Sequence, residues 1–289
     1  MKCLFVPLLM TITASALGDP NLMADNLSIY GERELQEGPE DILHHIILKY
    51  SHHKTRKCLS EQWEKNLANK SIAYLAIART GSTSIKTALA NNNFPKEIPH
   101  NHACTLHDLV NFGARRVIVT LRHPVERFIS TLERAKQNED KFGQGFANAD
   151  EVVHALRMES DQRHHLAWQF VTSRSFAMPI VDFYLKLSSA ERERAPELGF
   201  VCTDNMTSEY NNLAAQWGMV PMETHLHASS KPASQSMLEA QNHDWLSSVF
   251  YKDVEFVCLM CPWHCPPWTT SIERTTGEIK ALAMLDLEL

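Results

Sequence analysis

The chain has 289 residues, enough for one domain with a substantial core, and its 44% hydrophobic and 21% charged composition is that of a soluble globular protein rather than a low-complexity or disordered one. A formal net charge of -6 argues against nucleic acid as a partner, because binding a phosphate backbone needs a strong positive surplus, and counts against a densely anionic polysaccharide. A local basic cleft is still compatible with that balance.

The N-terminus reads as a targeting segment. Lys2 precedes the apolar run CLFVPLLMTITASA, and Ala14-Ser15-Ala16 offers a small-residue cleavage pattern. The run is short for a membrane span and contains Pro7, which favours a cleaved signal peptide over residues 1–18, with a short signal anchor as the alternative. Cys3 leaves with such a signal. Cys58, Cys104, Cys202, Cys258, Cys261 and Cys265 remain, an even set suited to an oxidising compartment, and six cysteines allow 15 pairings among which the sequence does not choose. In the tail segment CLMCPWHCPPW, zinc held with His264 is the sharper reading, but the compartment favours disulfides. Asn26-Leu27-Ser28, Asn69-Lys70-Ser71 and Asn205-Met206-Thr207 are glycosylation sequons, compatible with the same route.

Residues 19–69 read as a leader or stem followed by an N-terminal helix, with Ile42, Ile46, Ile47, Trp63 and Leu67 at helical spacing. His44, His45, His52 and His53 lie there among Lys49, Lys54, Arg56 and Lys57. Those cations disfavour a bound metal and leave the histidines as solvated residues. SIAYLAIA (71–78) is a continuous apolar run of strand length, as in a strand buried on both faces of a parallel sheet. RTGSTS follows, then the short helix IKTALANNN. ARRVIVTL (114–121) is a second buried strand, and HPVERFISTLERAKQNED starts a helix with Pro124 near its first turn. Helices are expected over 151–172 and 179–195, a third strand at LGFVCT (198–203), and a helix at SEYNNLAAQWG (208–218) stopped by Gly218. Residues 242–257 read as a helical or helix–strand segment. The alternation predicts an α/β fold with a central, mostly parallel sheet flanked by helices in three layers, P-loop-like in its strand–loop–helix unit. Residues 70–257 form the expected main domain, and 258–289 a tail rich in Cys, Pro and Trp.

Two loops at predicted strand ends carry the chemistry. A strand, a tight glycine-containing loop and a helix direct free N–H groups and the positive end of a helix dipole at one point. The loop Arg79-Thr80-Gly81-Ser82-Thr83-Ser84 adds hydroxyls and a cation, but lacks G-x-x-x-x-G-K-[ST], which disfavours a nucleoside triphosphatase. The second loop, Arg122-His123-Pro124-Val125-Glu126-Arg127-Phe128-Ile129-Ser130, places Arg122 and Ser130 where they can grip one phosphate together. Arg127 is equally suited to a structural ion pair.

These residues resemble the sulfotransferases that use 3′-phosphoadenosine 5′-phosphosulfate, in particular the membrane-type carbohydrate sulfotransferases related to sulfotransferase family 2. ARTGSTS resembles the 5′-phosphosulfate loop, usually written PKTGSTS. LRHPVERFIS resembles the 3′-phosphate motif R-x-P-x-x-R-x-x-S, and the two stand in the family's order. CTDNM, HLHASSKPAS and VFYKDVEFV echo the family's T/Y-E-N-L, H-x-N-x-S and Y-x-x-D-x-x-x-F/Y segments, so the resemblance spans residues 70–257. It implies that Arg79, Thr80, Gly81, Ser82, Thr83 and Ser84 hold the 5′-phosphosulfate, that Arg122 and Ser130 hold the 3′-phosphate, and that no metal takes part. It also implies a glycan or other hydroxyl acceptor and a Golgi or secreted location, with membrane contact only through an N-terminal anchor. The chain departs from the family at Arg79, where lysine is usual, and at His227, where the echo has asparagine.

Sulfuryl transfer is an in-line displacement that needs charge stabilisation at the leaving oxygen and a base for the acceptor hydroxyl. Arg79 serves the first need. For the second, His102 in IPHNHACTLHDL fits the family's position best, followed by His100 and His107, with an acidic residue such as Glu133 as the rival. Trp168 and Gln169 are candidates for an acceptor groove, against a core role for the tryptophan. Three other readings stay open: a binding protein that keeps the fold without turnover, a P-loop-type small-molecule kinase, and a metal protein rich in Cys and His.

Overall fold

A computed structural model describes residues 47, 58, 60–94, 104–138, 144–158, 160–172, 178–223 and 238–262, all within the unit Gly38–Leu289. The N-terminal apolar run, the histidines at 44, 45, 52 and 53, His100, His102, His227 and the tail beyond 262 lie outside the described residues.

The first helix, α1 (Glu61–Lys70), is capped by the Ser60 side chain, which accepts from the Trp63 N–H, and buries Trp63 and Leu67. It ends at Ser71 in the left-handed conformation, φ 56°. Strand β1 (Ile72–Leu75) is buried along its whole length. The expected strand over 71–78 is therefore cut to four residues. The Ile77 N–H turns back onto the Leu75 carbonyl at 3.1 Å, and Arg79 takes φ 65°, so the chain leaves the sheet early. Helix α2 (Ser82–Asn91) begins inside the RTGSTS segment rather than after it.

Helix α3 (Leu106–Asn111) starts with a capping box between Thr105 and Asp108 and leads into β2 (Arg116–Leu121). Helix α4 (Pro124–Gln137) has Pro124 in its first turn, as the sequence predicts. Helices α5 (Ala149–Arg157) and α6 (His164–Thr172) divide the single helix expected over 151–172. The helix expected over 179–195 becomes a π-helical turn, Ile180–Tyr184, and a short helix α7 (Ser189–Arg192). Strand β3 (Glu197–Cys202) passes through a 3₁₀ turn, Thr203–Asn205, into α8 (Met206–Trp217), which Gly218 closes with φ 70°. Residues 242–257 are wholly helical, within α9 (Ala240–Val249) and α10 (Tyr251–Met260).

The three strands form a parallel sheet in the order β1-β2-β3, with Leu75 opposite Val119 and Leu121 opposite Cys202. This mixed α/β arrangement, a small parallel sheet flanked by helices, agrees with the expected class. The order is sequential, so the described strands contain no reversal of the kind that opens a crevice between diverging connections. The loops after β1 and β2 instead leave from neighbouring strand ends on one edge. Helix α8 lies close on β3, because a Cβ at Gly199 would meet Leu213 Cδ1 at 2.5 Å.

Disulfides join Cys58 to Cys104 and Cys202 to Cys261. They mark an oxidising, secretory-type environment. The second takes the Cys261 thiol out of any zinc set. The core reaches past both ends of 70–257, through Trp63 and Leu67 on one side and Cys261 on the other. No helix among the described residues is long and apolar enough to cross a membrane.

Candidate functional site

The loop after β1 is fixed from beneath by buried hydroxyls. Thr80 is fully buried; its Oγ1 donates to the Ile77 carbonyl at 2.8 Å and lies 2.5 Å from Thr120 Oγ1 on β2. Thr120 in turn lies 3.2 Å from the Tyr74 hydroxyl, whose pKa burial pushes up. The Thr80 side chain is thus committed to the core. Gly81 is the helix N-cap with φ 82°, and a Cβ there would fall 2.0 Å from Met206 Cε. Glycine is favoured by the backbone angle, and any Cβ here would also require the terminal methyl of Met206, the first residue of α8, to shift.

The remaining donors point the other way. The Ser84 and Ile85 amides bond to the Gly81 carbonyl, and the amides of Ser82 and Thr83 have no acceptor within the helix. Ser82 is half-buried and Thr83 exposed, whereas Ser84 is buried. Two of the three hydroxyls in the first turn of α2 therefore stay near solvent at the positive end of the helix.

Arg79 joins the two loops. Its Nη2 donates to Ser130 Oγ at 3.0 Å, across 51 residues of sequence. Its Nε is buried with no acceptor, a donor that an anion would satisfy. Burial lowers the Arg79 pKa; the positive charges of Arg122 and Arg134 act in the same direction, and Glu133 acts against them. Arg122, at the end of β2, is held through Nε by Glu126 at 3.3 Å. Glu126, Ser130, Glu133 and Arg134 share one face of α4 at helical spacing.

The sequence reading missed Arg134, an exposed residue whose charge acts on Arg79 and whose Nη1 donates to Gln137 Oε1 at 3.4 Å. The available signal was its spacing, one turn beyond Ser130. Glu133, whose helix face the sequence left open, acts electrostatically on Arg79 and so belongs to this side of α4.

The other sequence candidates fall elsewhere. Arg127 is 1% exposed and donates to the Met178 carbonyl at 2.5 Å. Burial lowers its pKa while Asp253, itself 1% exposed, opposes the shift. Arg127 is therefore a structural residue of the core rather than part of the loop surface. His107 pairs with Glu191, and their helices lead into the N-terminal ends of β2 and β3, away from the strand ends that carry Arg79 and Arg122. Trp168 packs half-buried against the core with His164 edge-on, and Gln169 bonds to His165. At the β2 end, the ring of His123 lies parallel to that of His243 on α9, their centroids 6.2 Å apart.

No family model, curated protein or solved structure matches this chain. Three guanidinium groups, two open helix amides and nearby hydroxyls suit a ligand carrying more than one anionic group.

Proposed function

We propose that the protein is a sulfotransferase with a P-loop-like site that moves the sulfuryl group of 3′-phosphoadenosine 5′-phosphosulfate onto a hydroxyl, most naturally that of a carbohydrate, in the Golgi lumen or after secretion. The observation that carries this reading is the Arg79–Ser130 hydrogen bond. It joins the two segments whose spelling resembles the 5′- and 3′-phosphate motifs, as a single bisphosphorylated nucleotide requires.

In this reading Arg122, Ser130 and Arg134 receive the 3′-phosphate side. The amides of Ser82 and Thr83, with Arg79, receive the 5′-phosphosulfate. An acceptor oxygen attacks sulfur in line as the bond from sulfur to the bridging phosphate oxygen breaks. Arg79 stabilises the charge that gathers on that leaving oxygen. The acceptor proton passes to a base, His102 by the family resemblance or Glu133 by its place beside Arg79. The net charge of -6 does not oppose the nucleotide, because the cations are local to one strand-end edge.

A second reading keeps nucleotide binding without turnover. It is favoured by the commitment of the Thr80 hydroxyl to the core, which removes one donor the motif was expected to supply. Incubation of the lumenal chain with sulfur-labelled donor and a glycan panel separates the two. Label transferred by the wild type and lost in Arg122→Ala supports the enzyme. Binding of the bisphosphate product without transfer to any acceptor supports the second reading. ATP turnover dependent on magnesium would replace both with a kinase.

A further inference from the structure

We infer that Asn69 is a site of N-linked glycosylation, an assignment independent of the sulfotransferase reading. Two of the three sequons fall within the described residues, and the fold gives them different positions. Asn69-Lys70-Ser71 spans the last turn of α1 and the left-handed residue that ends it. Trp63 and Leu67 bury the inner face of this helix, and Lys70 and Asn66 turn towards the 92–93 turn, where they donate to the Asn92 and Asn93 carbonyls. Asn69 follows Leu67 by two residues, about 200° around the helix, and is exposed on the opposite side.

The chain then enters β1 at its N-terminal end, so a glycan on Asn69 leaves from the sheet edge opposite Arg79 and Arg122. Asn205 is exposed as well, but it sits at the C-terminal end of β3. Its neighbour Met206 packs against Gly81, so a glycan there would stand over the mouth of the candidate site. The two disulfides place the folded chain in the compartment type where the modification occurs.

The step consumes a lipid-pyrophosphate-linked oligosaccharide. The Asn69 amide nitrogen bonds to the anomeric carbon of the first sugar, the bond from that carbon to the pyrophosphate oxygen breaks, the amide loses one proton, and the lipid pyrophosphate departs.

The test is peptide mapping of the full chain purified from a secretory eukaryotic cell, before and after enzymatic glycan release. The expected result is a glycopeptide containing Asn69 that carries aspartate at this position after release, and a gel mobility step lost in both Asn69→Gln and Ser71→Ala. A disulfide-bonded secreted protein with an unmodified Asn69 peptide overturns the inference. Should either variant fail to accumulate, the wild-type peptide map decides alone.

Discussion

The guanidinium of Arg79 donates to the hydroxyl of Ser130, joining the loop after β1 to the second turn of α4. Neither residue has a sequence neighbour in common with the other, and the contact exists only because β1 and β2 are adjacent and parallel. It fixes the two loops of the candidate site relative to each other.

Ser130→Ala therefore removes one partner of a hydrogen bond to a charged group. The expected loss is about tenfold in affinity for adenosine 3′,5′-bisphosphate, with about 1 kcal/mol lost from the unfolding free energy because the pair is only partly buried. A double-mutant cycle with Arg79→Met checks it by calorimetry. Strictly additive losses would show that the two residues do not act together.

Thr120 acts on the site only through Thr80, which makes it a positioning residue. Thr120→Val leaves the buried hydroxyls of Tyr74 and Thr80 short of a partner and is expected to cost about 1–3 kcal/mol of stability. Affinity for the bisphosphate should fall as the Arg79 loop loosens, while Thr120→Ser restores both. A valine variant that is destabilised but binds the nucleotide like the wild type would confine Thr120 to a folding role.

Gly81→Ala meets two obstacles, the positive φ of 82° and the Met206 methyl group. The left-handed backbone alone costs about 1–2 kcal/mol for a residue with a Cβ. Pairing it with Met206→Ala removes the collision, so chemical denaturation of the double variant should show a smaller loss than the sum of the singles. Simple additivity would mean that the close approach is not the source of the cost.

Asp253 supplies the pH prediction. Burial raises its carboxyl to about 6, opposed by Arg127 and the amides of Ile180 and Val181 and assisted by Asp182. The folded protein thus holds a proton that the unfolded chain, with an aspartate near 4, has already lost. The sign follows: this group's contribution to stability is greatest below about pH 4 and is lost as pH rises through about 6. The stability of the wild type relative to Asp253→Asn should increase on acidification from pH 6 to 4 and be flat above that window. Denaturant titrations at a series of pH values check it, and the opposite slope contradicts the burial argument.

Much of this fold is legible in the sequence where local signals agree. The continuous apolar runs ending at Leu121 and Cys202, Pro124 in a first turn and Gly218 after a helix each state their element. The segment 179–195 misleads because its structure is set from far away: the Ile180 and Val181 amides are taken by Asp253, at 2.7 and 2.9 Å. The site shows the same division. Its two loops are readable from spelling, but which hydroxyl faces a ligand is not. Thr80 turns inward because Thr120 waits on the adjacent strand, and Arg134 enters through helical spacing that no motif includes.

The most direct test of the account is calorimetric titration of the disulfide-bonded protein with adenosine 3′,5′-bisphosphate, alongside Arg122→Ala and Arg79→Ala. The expected result is one binding site per chain in the wild type and no measurable binding in either variant of matched stability. Binding that survives both substitutions, or none by a correctly folded wild type, would contradict it.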